Sequence, residues 1–114
     1  MREIIFYRKE NGRVPVDEFL RELPPKLRAK VAGLFINIEN SDLYFKMPHS
    51  KYLVDDIYEF RVQFANDIAR VFYFFIHNGK IVLTNGFVKK TQKTPLKEIE
   101  RAKEYKKDYE RSNK

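Results

Sequence analysis

The chain contains no cysteine. Disulfide staples, thiolate chemistry and cysteine-ligated zinc are thereby excluded, and a reducing compartment is compatible with the sequence. Histidine is almost as scarce: His49 and His77 are the only two, which form no evident metal cluster. Long apolar runs are missing too. The longest, Val71 to Ile76, falls far short of the roughly twenty residues that cross a bilayer. No stretch reads as a secretory leader, and no segment combines a basic face with a strongly apolar one. The expectation is a cytoplasmic protein with no membrane role. No repeat or linker divides the 114 residues, so one domain spanning 1–114 is expected.

Aromatic and basic residues are abundant. Ten Phe and seven Tyr, within an apolar content of 43%, point to a folded chain with heavy aromatic packing. The net charge of +7 is uneven. Residues 1–88 carry thirteen Lys/Arg against eleven Asp/Glu, whereas residues 89–114 carry ten against five. A basic last quarter favours a polyanionic partner, although a solvated lysine-rich helix would look the same.

The pattern reads as strand, helix, helix, three antiparallel strands, helix. Glu3 to Tyr7 is a short apolar strand, and Asn11-Gly12 turns the chain. Pro15 suits a helix start, with Val16, Phe19, Leu20 and Leu23 at helical spacing. Pro24-Pro25 ends that helix and opens a second, striped by Leu27, Val31, Leu34 and Ile38. Residues 41–55 read as irregular. Strands follow at Ile57–Phe64, Ala69–Ile76 and Lys80–Val88, with turns at Asn66-Asp67 and Asn78-Gly79. Thr94-Pro95 then opens a helix, with Thr94 as N-cap and Pro95 in the first helical position.

Alternation along the three strands divides the sheet into two faces. One carries Tyr58, Phe60, Val62, Phe64, Val71, Tyr73, Phe75, Val82 and Val88, and should lie against the two early helices. The other is apolar at one end (Phe74, Ile76, Ile81, Leu83). At its other end it gathers Arg61, Arg70 and Lys89 around Phe72 and Phe87. Cations on adjacent strands repel unless an anion lies among them, and interleaved aromatics suit base stacking. The Lys89, Lys90 and Lys93 cluster prolongs this patch towards the last helix. A plainer reading pairs Glu59 with Arg61 and packs Phe72 and Phe87 under the last helix. Composition alone leaves both open.

Three blocks carry a resemblance: Tyr58-Glu59-Phe60-Arg61, Arg70 to Tyr73, and the run from Gly86 to Pro95 (GFVKKTQKTP), followed by Glu98 and Ala102 in the last helix. In this order and spacing they resemble the phage Gp49-like branch of the RelE/HigB toxins of type II toxin–antitoxin modules, closely over residues 50–105. The resemblance implies an α+β fold: a small twisted antiparallel sheet with two N-terminal helices packed on one face and a C-terminal helix. It also implies a ribosome-dependent mRNA endoribonuclease (an mRNA interferase) inhibited by a cognate helix-turn-helix antitoxin of the HigA type. The mRNA and the ribosome would be its RNA partners. No cofactor or metal is implied. Relatives use strand arginines and nearby lysines, which map here to Arg61, Arg70, Lys89 and Lys90 as candidate catalytic residues. Lys46, His49, Lys51, Phe72, Phe87 and Lys93 are the candidate RNA-binding residues. Several relatives carry a tyrosine or histidine after the last strand, which this chain lacks directly after Phe87. A gyrase inhibitor of the ParE type, or an inactive RNA- or antitoxin-binding module, is the alternative on the same fold.

Overall fold

The computed structural model describes residues 2–89 and 93–113. The chain runs β1 (Ile4–Phe6), α1 (Pro15–Glu22), α2 (Pro25–Asn40), a short 3-10 turn (Leu43–Phe45), β2 (Ser50–Val54), β3 (Ile57–Phe64), β4 (Asp67–Phe75), β5 (Ile81–Lys89) and α3 (Leu96–Ser112). This is the expected α+β class. The five strands form one sheet in the order β1-β5-β4-β3-β2. β2 to β5 pair antiparallel in sequence, while β1 lies parallel to β5, so the sheet is mixed. The segment read as irregular contains β2, joined to β3 by Asp55-Asp56. Both aspartates adopt left-handed backbone (φ 51° and 63°), which Asp tolerates in tight hairpin turns.

Proline fixes the helical hairpin. Pro15 and Pro25 each occupy the start of a helix, where a missing N–H costs nothing. The carbonyls orphaned at the end of α1 are taken by Arg28, whose guanidinium donates to Leu20 O (2.8 Å), Arg21 O (3.0 Å) and Leu23 O (2.8 Å). The two helices lay Val16, Phe19, Leu27, Val31 and Ile38 onto Phe60, Val71 and Tyr73 of the sheet. Aromatic contacts knit this side together: Phe60 stacks on Tyr73 with ring centroids 3.9 Å apart. The Tyr73 hydroxyl bonds to Ser50 Oγ in the interior. The close approach of α1 depends on Gly86, where an added Cβ would lie 2.7 Å from the Phe19 ring and 2.8 Å from the Arg70 carbonyl oxygen.

α3 covers the opposite face. Ile57, Phe72 and Ala102 pack there with Leu53, Phe87 and Ile99. Tyr7, Phe74 and Val82 form a second patch with Tyr105 and Tyr109. Face assignment in β5 departs from simple alternation. The β4–β5 register shifts between Val71 and Tyr73, and one extra residue on β5 reverses which side its side chains take. Val82 therefore lies on the α3 side, and Ile81 and Leu83 join the core beneath α1 and α2; Val88, opposite Ala69 before the shift, keeps its expected face but is exposed.

Candidate functional site

The first hairpin closes at Ala65-Asn66 rather than Asn66-Asp67, because Phe64 pairs with Asp67. Arg61 consequently faces Arg70 directly, and Arg70 faces Phe87 across β5. Side chains keep their faces, since the slip is of two residues. The three-strand row Arg61, Arg70, Phe87 is thus the centre of the predicted patch, with Gln63, Ile68 and Lys89 forming the next row towards the end of the sheet.

A buried carboxylate organises this row. Glu59 is fully buried and accepts a hydrogen bond from Arg61 Nε at 2.7 Å and another from the Thr94 hydroxyl at 2.6 Å. The same Thr94 oxygen accepts from Arg70 Nη1 at 2.9 Å. One threonine therefore links both charges and fastens the start of α3 to the sheet. It is not the helix N-cap: Pro95 holds that position, with no side-chain cap bond. Glu59 offsets two guanidinium charges, which a low-dielectric interior requires. Burial lowers the Arg70 pKa, opposed by attraction to Glu59 and reinforced by repulsion from Arg61.

Two expectations need correcting. Arg70 is wholly buried, bonded to Thr94, so it does not present a guanidinium at the surface. Phe72 is also wholly buried, packed under Ala102, and is not a platform for a base. Phe87 is partly exposed, stacked on Phe72 with ring centroids 5.7 Å apart. The plainer sequence reading, Glu59 paired with Arg61 and the two phenylalanines under the last helix, holds for these residues.

Arg61 differs from its neighbour: its side chain keeps 15% exposure. It stands where β3 runs past the start of β2, and its N–H donates to the His49 carbonyl at 2.8 Å. A groove of about 720 Å³ opens here between α2, the segment leading into β2, and the ends of β3 and β4, and Arg61 and His49 both line it. His49 is exposed and its ring lies 4.9 Å from that of Tyr44. Lys46 and Lys51 are exposed on either side of His49 in sequence. Lys89 is partly exposed opposite Ile68, and two strand spacings with a two-residue offset along the strand place its backbone roughly 12 Å from that of Arg61. Lys93 is exposed before α3; Lys90 lies outside the described residues. The sequence reading missed Thr94 as a link and the α2 side of the groove, including Lys30 and Asn37. His49 was named from the sequence but not placed; pairing β2 with β3 was the signal that could have placed it, since Ser50 opposite Phe60 puts His49 opposite Arg61.

A family model described as phage-derived protein Gp49-like (DUF891) matches residues 18–107. The chain belongs to this Gp49-like family. The family is associated with the toxins of toxin–antitoxin systems, which implies an antitoxin partner. No curated protein matches the chain. The Gp49-like match runs from within α1 into α3, and so takes in Glu59, Arg61, Arg70, Thr94 and every residue of the groove beside Arg61. No helix among the described residues is long and apolar enough to cross a membrane.

Proposed function

We propose that this toxin-family protein is a ribosome-dependent mRNA endoribonuclease that cuts through the RNA's own 2′-OH. The observation that carries the reading is the placement of Arg61: a guanidinium tethered by a buried carboxylate, at the mouth of a groove, on a backbone bonded to that of His49. RNA supplies the nucleophile. A bond forms between O2′ and the adjacent phosphorus, the bond from phosphorus to O5′ breaks, and the products are a cyclic phosphate and a free 5′-OH. The protein must align the chain, stabilise charge on the phosphorane and move two protons.

Arg61 supplies the charge stabilisation, its orientation set in advance by Glu59. His49, whose backbone is bonded to that of Arg61, accepts the 2′-OH proton as general base. Lys89 approaches the phosphate from the other flank and gives an ammonium proton to the departing O5′. Lys46, Lys51 and Lys93 extend the basic surface for the message and ribosomal RNA, and Phe87 borders it; Lys90, outside the described residues, is kept as a candidate on the sequence alone. Arg70 and Thr94 keep the row rigid. A helix-turn-helix antitoxin of the HigA type is the proposed inhibitor, and the cytoplasm the proposed setting.

The test is induction of Arg61→Ala and His49→Ala variants, followed by mapping of message ends. Each substitution should lower cleavage by about two orders of magnitude or more, and wild-type products should carry cyclic phosphates. If both variants cut messages and arrest growth like the wild type, the assignment is wrong. DNA damage with intact messages would point instead to a gyrase inhibitor.

A further inference from the structure

The groove beside Arg61 has three properties that no catalytic role for Arg61 requires. First, its lining is basic: Lys30, His49 and Arg61 contribute and no aspartate or glutamate does, the one carboxylate paired with Arg61 being Glu59, buried behind it. The groove between α1 and α3 is different, with Arg13 and Arg101 set against Glu18 and Glu22. Second, it offers ring faces and amide edges together. Tyr44 and His49 lie in ring contact, the Asn37 amide reaches the Tyr44 hydroxyl at 3.4 Å, and Gln63 is exposed at the groove wall.

Third, Gly33 lies in the middle of α2, where glycine is the poorest helix former after proline. Packing does not demand it. Its backbone is ordinary helix, and an added Cβ would meet nothing within 4 Å. What the missing side chain supplies is width, because Gly33 faces the groove. The volume of about 720 Å³ is in the range of small-ligand sites.

We propose that this groove is a nucleobase pocket, in which one unstacked base of single-stranded RNA lies against Tyr44 beside the phosphate held by Arg61, with Gly33 setting the width and Asn37 and Gln63 reading the base edge. The proposal rests on the reading of the protein as an RNA-cutting enzyme and adds the residues that select its substrate. Single-stranded RNA is recognised in this way, by splayed bases stacked on aromatic rings and bonded at their edges. A base kept in a duplex cannot enter.

The experiment titrates the ¹⁵N-labelled full chain with a 2′-O-methyl RNA trinucleotide, whose attacking hydroxyl is blocked. Amide shifts should map to Gly33, Asn37 and His49, and a duplex of the same sequence should leave those positions unmoved. Gly33→Leu, a helix-compatible substitution that fills the groove, should weaken binding at least tenfold while the protein still melts cooperatively. Tyr44→Ala, the second variant, should do the same through lost stacking. Equal affinity in both variants, equal shifts from the duplex, or groove resonances that move only with an acidic peptide would overturn the proposal. The two readings fail separately. Groove shifts with intact messages in induced cells would remove the nuclease and keep the pocket. Messages cut by Gly33→Leu at the wild-type rate and positions would remove the pocket and keep the nuclease.

Discussion

Replacing Glu59 with Gln keeps the shape of the side chain and removes its charge. In the folded protein that charge is fully buried and faces Arg61 Nε at 2.7 Å and, through Thr94, the buried guanidinium of Arg70. The Thr94 bond becomes a neutral one, Arg61 loses its ion-pair partner, and Arg70 loses the attraction that opposes its desolvation. Removing one partner of such a buried arrangement costs about 3–5 kcal/mol. A domain of this size has about 5–15 kcal/mol in all. At about 4 °C per kcal/mol, the melting temperature should fall by roughly 12–20 °C. Urea unfolding followed by circular dichroism gives the free energy directly. Asp17→Asn is the control: Asp17 pairs with Arg21 on the surface at 2.9 Å, and both side chains are substantially exposed, so the loss should stay below about 1 kcal/mol. If Glu59→Gln costs no more than Asp17→Asn, the buried network does not hold the site together, and the tethering of Arg61 loses its basis.

Two further outcomes follow from the core. Burial pushes the Tyr73 hydroxyl pKa up from 10.0 to about 12, with its Ser50 bond opposing the shift. The unfolded chain therefore ionises first: the contribution is intact below pH 10 and drains away as pH rises to about 12, worth about 2–3 kcal/mol in total. Unfolding midpoints measured between pH 9 and 12 should fall more steeply for the wild type than for Tyr73→Phe, and parallel curves would refute the assignment. Gly86→Ala should destabilise by about 1–3 kcal/mol in urea titration, because the new methyl meets the Arg70 carbonyl oxygen, which is backbone and cannot yield. A loss under about 0.5 kcal/mol would mean that α1 is free to lift from the sheet.

Elements with strong local signals were legible in the sequence. Pro15 and Pro25 marked both early helices, the apolar stripes marked their buried faces, and Asn78-Gly79 marked the bend before β5. Properties set by pairing were not. β2 was hidden because its two-residue turn is Asp-Asp rather than Asn-Gly, and because Lys51 and Tyr52 are exposed on an edge strand. The extra residue in β5 reversed Ile81, Val82 and Leu83, and the one available hint was a glycine within a strand, Gly86. At the site, sequence alternation put Arg61 and Arg70 on one face but could not show that Thr94 and α3 cover Arg70 and leave Arg61 at the rim. Burial there depends on Thr94, 24 residues beyond Arg70 in sequence, and on the helix that follows it, and alternation carries no information about what covers a face. The groove was out of reach for the same reason: α2 and the approach to β2 meet only after the sheet has formed.

The parallel pairing of β1 with β5 bears on how the molecule is born. Ile4 meets Ile81, so β1 stays without its neighbour until β5, the last strand of the sheet, has been made, while the hairpins from β2 to β4 can close as they emerge. β5 then enters between two strands already waiting, and the sheet becomes continuous in a single late step. Thr94, which links Arg61 and Arg70 through Glu59, lies later in the chain still, so the row around Arg61 can be completed only after every strand of the sheet exists.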